Sequence, residues 1–136
     1  PGVTRPGSVC SEPVIGVDLY PTLCEAAGLD LEGMELDGRS LVPLLEDPDA
    51  SLRREAIYWH FPHFSNEDSR PSSAVRGGKW KLIEHLERGE IELYDLETDL
   101  GETVNLAERM PRRAGRLKTM LDQWSGNVGA AMPTPR

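Results

Sequence analysis

Two histidines stand three residues apart in Tyr58-Trp59-His60-Phe61-Pro62-His63-Phe64. Paired imidazoles at the end of a strand could face an anionic ligand, donating hydrogen bonds and, when protonated, charge. A second reading is open: alternate positions Tyr58, His60 and Pro62 share one side of a sheet, and the histidines pack or stand in solvent. Arg76, Lys79 and Lys81 could attract the same anion, although cations beside a hairpin are ordinarily solvated. Trp80 and Trp124 could stack on a sugar, but one falls on a strand and the other on an apolar helix face, where core packing is the stronger reading. Asp95, Glu97, Asp99 and Glu102 reach the density of a calcium loop. They lack the alternating ligand series and the bidentate closing Glu of an EF-hand, so turn capping accounts for them. Asn105 suits local bonding to backbone. Cys10 and Cys24 are too few for a disulfide scaffold and lack the paired spacing of a zinc site. Cys24, among apolar neighbours, reads as a buried free thiol. The candidate substrate-binding residues are therefore His60 and His63, with no catalytic or metal-ligating residue assigned.

Composition narrows the partners. With 23 acidic and 15 basic residues the net charge is −8, which opposes nucleic acid and anionic membrane surfaces. No run of about 18 apolar residues suits a membrane span, and no basic-then-apolar opening suits a signal peptide. The first residue is Pro1, and the turn-rich entry Pro1-Gly2-Val3-Thr4-Arg5-Pro6-Gly7 predicts a cut within a longer chain.

The elements that would position these residues follow in order. Val14, Val17, Leu19, Leu23 and Ala27 recur at near-helical spacing, which predicts a helix over about Asp18–Ala27 with Asp18 as N-cap, Pro21 in the first turn and Gly28 as the stop. Cut off from a neighbour, its apolar face predicts self-association. Asp37-Gly38 marks a turn, Ser40 caps a short helix holding Leu41, Leu44 and Leu45, and Asp47-Pro48 closes it. Composition then changes from helix to strand. The organisation read from it is residues 1–50, residues 51–126 and a flexible tail at 127–136. Glu55–Phe61 reads as a strand, Ser65–Pro71 as a mobile polar loop, and Ala74-Val75-Arg76 as a strand turning at Gly77-Gly78 into Lys79–Ile83. After a turn around Gly89, Ile91–Leu96 completes an antiparallel meander of three or four strands. From Pro111, Ala114, Leu117, Met120, Leu121 and Trp124 fall on one face of a helix that can cover the sheet. Arg112, Arg113, Arg116 and Lys118 populate its other side, where solvent satisfies them.

The order of four motifs carries a resemblance. Asp18-Leu19-Tyr20-Pro21-Thr22-Leu23, Leu36-Asp37-Gly38-Arg39-Ser40-Leu41, Arg76-Gly77-Gly78-Lys79-Trp80-Lys81-Leu82 and the run Leu93 to Leu106 resemble, in sequence, the C-terminal third of the type I sulfatases, relatives of alkaline phosphatase. The resemblance implies an α+β chain: a small antiparallel sheet covered by a C-terminal helix, preceded by a helical tail segment of a larger alkaline-phosphatase-like α/β domain. It implies a parent that hydrolyses sulfate esters of sulfated glycans or aryl alcohols, using a formylglycine nucleophile and a bound divalent cation, usually calcium. The implied partner is the N-terminal catalytic domain. The family's nucleophile motif, Cys or Ser-x-Pro-x-Arg, is absent: Cys10-Ser11-Glu12-Pro13 puts Pro one place late, and Cys24-Glu25-Ala26-Ala27 has none. The paired acidic metal motifs have no counterpart either. The chain alone is expected to be inactive. A fragment of a related phosphodiesterase or phosphonate hydrolase, or a stand-alone interaction module, are the rival readings.

Overall fold

The computed structural model describes residues 2–64 and 70–134. The polar loop read at Ser65–Pro71 lies mostly outside the described residues. The chain divides into two compact units, Pro1–Arg54 and Glu55–Arg136, each described by itself.

In the first unit a 3₁₀ turn, Gly16–Asp18, leads into helix α1, Leu19–Ala26, and a later short helix α2 spans Val42–Glu46. The end of α1 follows from Gly28, whose φ of 72° is open to glycine at no steric cost. Its N–H bonds Glu25 O at 2.9 Å and the Leu29 N–H bonds Cys24 O at 2.9 Å, the paired bonds of a Schellman stop. The start of α1 differs from the sequence reading. Asp18 makes no side-chain cap for α1; its wholly buried carboxylate instead accepts the Ile15 N–H and the Arg39 N–H, each at 2.9 Å, and the Arg54 guanidinium at 2.7 Å. Burial alone would push this carboxyl up, but those three donors hold it below the ordinary carboxylate range. Ser40 likewise acts one residue early: its hydroxyl accepts the Val42 N–H at 3.2 Å, while the N-cap position falls to Leu41.

The turn residue beside this carboxylate has no room for a side chain. A Cβ on Gly38 would stand 2.1 Å from the Val17 carbonyl oxygen. The close approach delivers the Arg39 amide to Asp18, and one step on, the Leu41 N–H reaches Thr22 Oγ1 at 2.8 Å. Helix α1 buries Pro21, Thr22 and Cys24, and it leaves Leu19, Tyr20 and Leu23 exposed.

The second unit is a four-stranded antiparallel meander, in order β1 (Ile57–Phe61), β2 (Ser72–Gly77), β3 (Trp80–His85) and β4 (Glu90–Asp95), with helix α3 over Pro111–Asn127. The register places Tyr58, Val75, Leu82 and Leu93 in one row across the sheet. Val75, Leu82 and Leu93 are fully buried under Ala114, Leu117 and Leu121 of α3. Each fully buried leucine of this set contributes about 1.5–3 kcal/mol by leaving water. Tyr58 stacks on Trp124 at 5.0 Å with rings 4° from parallel, and the half-buried Trp80 also packs on this core. The β2–β3 turn sits one residue later than read: Gly77 pairs with Trp80, and Gly78 and Lys79 form the loop. Gly78 at φ 59° supplies the positive φ that a tight right-twisting hairpin demands.

Strand β4 ends the sheet, so half of its backbone groups face away from β3. Leu93 shows how they are satisfied: its N–H donates to Asn105 Oδ1 at 3.0 Å, and its carbonyl accepts the Leu106 N–H at 2.8 Å. Asn105 Nδ2 also donates to Ile91 O at 3.4 Å, and Oδ1 accepts the Ala107 N–H at 2.9 Å. One side chain therefore seals the edge that would otherwise invite another strand.

Two substitutions test these contacts by thermal and urea unfolding. Gly38→Ala is expected to destabilise by about 1–3 kcal/mol or more through the backbone clash. Asn105→Ala is expected to destabilise by about 1–3 kcal/mol because it strands the buried Leu93 amide. Midpoints within experimental error of the parent chain would refute both assignments.

Candidate functional site

Strand β1 carries its histidines because its alternation fixes where each side chain goes. Tyr58 and His60 lie on the side of α3, and Trp59 and Phe61, 41% and 46% exposed, lie on the opposite side. His60 is fully engaged: Nδ1 is 2.7 Å from the Ser73 hydroxyl and Nε2 is 2.7 Å from the Ala131 carbonyl. A carbonyl only accepts, so Nε2 carries a proton and Nδ1 can accept from Ser73 in the neutral ring. His63 lies beyond the strand, exposed, with its ring edge-on to Phe61 at 5.5 Å. The two imidazoles therefore do not converge on one point. His60 ties β1 to β2 and to the chain after α3, and His63 is the one open to a ligand.

The basic residues of the hairpin are also spoken for. Lys81 Nζ is held by both Glu102 oxygens at 2.7 and 2.8 Å, and Lys79 Nζ lies 2.7 Å from Glu97 and 3.0 Å from Asp95. Arg76 Nε donates to Gly78 O at 3.1 Å.

The acidic run does not gather its oxygens toward one centre. Asp95 Oδ1 accepts the Glu97 N–H at 3.1 Å; Asp99 accepts the Thr103 and Val104 N–H groups, each at 2.9 Å, and the Thr103 hydroxyl at 2.9 Å. These amide donors hold the Asp99 carboxyl below its ordinary range. Glu102, at a left-handed φ of 54°, turns its carboxylate back to Lys81. Among the described residues no group of three or more His, Cys, Asp or Glu side chains could hold a metal ion. The acidic side chains after β4 are thus spent on backbone amides and lysines, and neither cysteine lies in a nucleophile motif: Cys10 is exposed and Cys24 buried, both free. No step of a reaction is derived through either group.

One feature of the second unit escaped the sequence reading. An open recess of about 540 Å³ is lined by Arg109, Met110, Pro111, Arg112, Arg113 and Arg116. The available signal was four arginines within eight residues, which the helical wheel alone assigns to solvent.

Comparison with known proteins places the chain. The family described as N-sulphoglucosamine sulphohydrolase, C-terminal, matches residues 1–124. A sulfatase of Formosa agariphila is 36% identical over 121 residues, covering 82% of this chain and 22% of that protein. A Delta 4,5-hexuronate-2-O-sulfatase of Bacteroides thetaiotaomicron is 35% identical over 94 residues, 68% of this chain and 19% of the relative. The chain thus spans about a fifth of the length of these relatives. Among solved structures, BT4656 in complex with its substrate D-glucosamine-2-N,6-O-disulfate superposes with a TM-score of 0.82 and 26% identity, covering 98% of this chain and 28% of that one. A phosphonate monoester hydrolase of Silicibacter pomeroyi, at TM-score 0.69 and 22% identity, shares the fold. With its four motifs in order on this fold, the chain belongs to the sulfatase family, as a match to its C-terminal region.

Proposed function

We propose that this chain is the C-terminal part of an enzyme that hydrolyses sulfate esters on carbohydrates, with the formylglycine nucleophile and the divalent cation, calcium, contributed by residues outside these 136. The observation that carries the reading is the family match over residues 1–124 on a fold that superposes over 98% of the chain with BT4656 holding its substrate D-glucosamine-2-N,6-O-disulfate. The chain's small share of its relatives' length supports the assignment of the chemistry elsewhere. A phosphonate hydrolase is the rival, and the likeness at 22% identity lends it the fold without the reaction. The exposed Leu19, Tyr20 and Leu23 of α1 support a covered face in the longer protein and self-association of the chain alone, visible as a concentration-dependent sedimentation coefficient; a strictly monomeric species would count against it.

Within this reading, His63 is the substrate-facing residue of the pair, because His60 is spent on Ser73 and Ala131. A charge-assisted hydrogen bond from His63 to a sulfate ester contributes about 1.5–3 kcal/mol, or roughly tenfold or more in kcat/KM. His60 holds the strand end instead.

The test starts from the reading frame upstream of Pro1, which is expected to encode Cys or Ser-x-Pro-x-Arg. The protein it encodes should release sulfate from D-glucosamine-2-N,6-O-disulfate, and His63→Ala should lower kcat/KM about tenfold or more while His60→Ala acts mainly on stability. Cleavage of phosphonate monoesters but not sulfate esters would overturn the function. An unchanged kcat/KM in the His63 variant would overturn the site. The 136-residue chain alone should give no turnover of an aryl sulfate with calcium added.

A further inference from the structure

Arg109, Arg112, Arg113 and Arg116 line one open recess of about 540 Å³ on the second unit, in a chain whose net charge is −8. Among the described residues neither Arg109 nor Arg112 has an ion-pair partner, and the first turn of α3 carries no acidic side chain. Arg113 lies over the Trp80 ring at 5.1 Å, a contact that fixes the guanidinium without neutralising it. Arg116 reaches Glu55 at 3.3 Å, with both side chains mostly in solvent. Scattered surface arginines need no ligand, but these four line one recess, and two of them, Arg113 and Arg116, adjoin a half-buried aromatic. A smaller recess of about 110 Å³ shares Arg113 and Arg116 and adds Trp80, Met120 and Glu55 to the wall.

We propose that this arginine recess is a binding subsite for a sulfated carbohydrate, separate from the His63 position. The planar guanidinium fork matches the paired oxygens of a sulfate group, and it stays charged at every physiological pH. Trp80, its ring under Arg113 and Lys79, and Met120 give the smaller recess an apolar wall against which a sugar can pack, and the Glu55 carboxylate can accept from a sugar hydroxyl. An inorganic oxyanion would use only the arginines; the adjoining aromatic and carboxylate are what favour a sugar. The choice of ligand class rests on the sulfatase reading above. The recess would hold a sulfate group that is not being cleaved, as part of a longer chain.

Binding to the 136-residue chain tests this without any hydrolysis, so its outcome is independent of the reaction assigned to the longer enzyme. A heparin-derived hexasaccharide is titrated by calorimetry at about 0.15 M salt, where long-range repulsion from the acidic surface is screened beyond roughly 8 Å. Saturable binding is expected, with at least tenfold weakening in the triple variant R109Q/R112Q/R113Q. The charge-matched control R5Q/R53Q/R88Q should bind within twofold of the parent chain. Amide and indole shifts in the unsubstituted chain should map to residues 109–116 and Trp80, which keeps the test valid if the triple variant unfolds. No binding, equal binding of the desulfated hexasaccharide, equal affinity for inorganic sulfate, equal affinity for an RNA hexamer, or shifts elsewhere would each overturn the proposal.

Discussion

The second unit depends on a single backbone requirement: the outward N–H and C=O of Leu93, on an edge strand and fully buried, must find partners without another strand. Asn105 and Leu106 supply them. To arrive there the chain must leave β4, reverse and run back along its edge within about ten residues, and the intervening residues are explained by that turn. Asp95 and Asp99 tie down its amides, Glu102 takes a left-handed backbone and locks onto Lys81, and Leu106 then accepts the Met110 N–H to set the entry to α3. The helix that covers Val75, Leu82 and Leu93 is thus positioned by the same turn that seals the sheet.

The four motifs that mark the family pair off into two structural clasps. In the first unit, Asp18 of one motif receives the Arg39 amide of the other, Gly38 permits the approach, and Thr22 bridges to Leu41. In the second, Lys79 and Lys81 of the β2–β3 hairpin meet Asp95, Glu97 and Glu102 of the run after β4. Residues that look chemically active in the sequence are held by one another. Sequence signatures can therefore identify an enzyme family through residues that hold its fold together.

Much of the architecture was legible because periodicity survives in local sequence. The α3 face at Ala114, Leu117 and Leu121 and the alternation in β1 required only spacing to read. Asp18 stands at the N-cap position read for it, but its side chain is drawn away from α1 by Arg39 and Arg54, partners from far along the chain that local rules do not see. The turn at Gly78-Lys79 was displaced by one residue because two adjacent glycines leave register undecided until β2 and β3 pair. The engagement of His60 was invisible for a similar reason: Ala131, its carbonyl partner, is brought to it only once α3 has folded over the sheet. The arginine recess was hidden by the opposite problem, since a helical wheel sorts residues into inside and outside and cannot show that several outside ones line one recess.

The acidic run after β4 is a structural clasp that closes the sheet edge and sets α3. Amide hydrogen exchange at Leu93 reads this directly, because that N–H bonds the Asn105 side chain. Protection of Leu93 comparable to the interior amides of β3 is expected, consistent with opening only in the global unfolding of the unit. Exchange of Leu93 at the rate of a solvent-exposed edge amide, with β3 still protected, would contradict it.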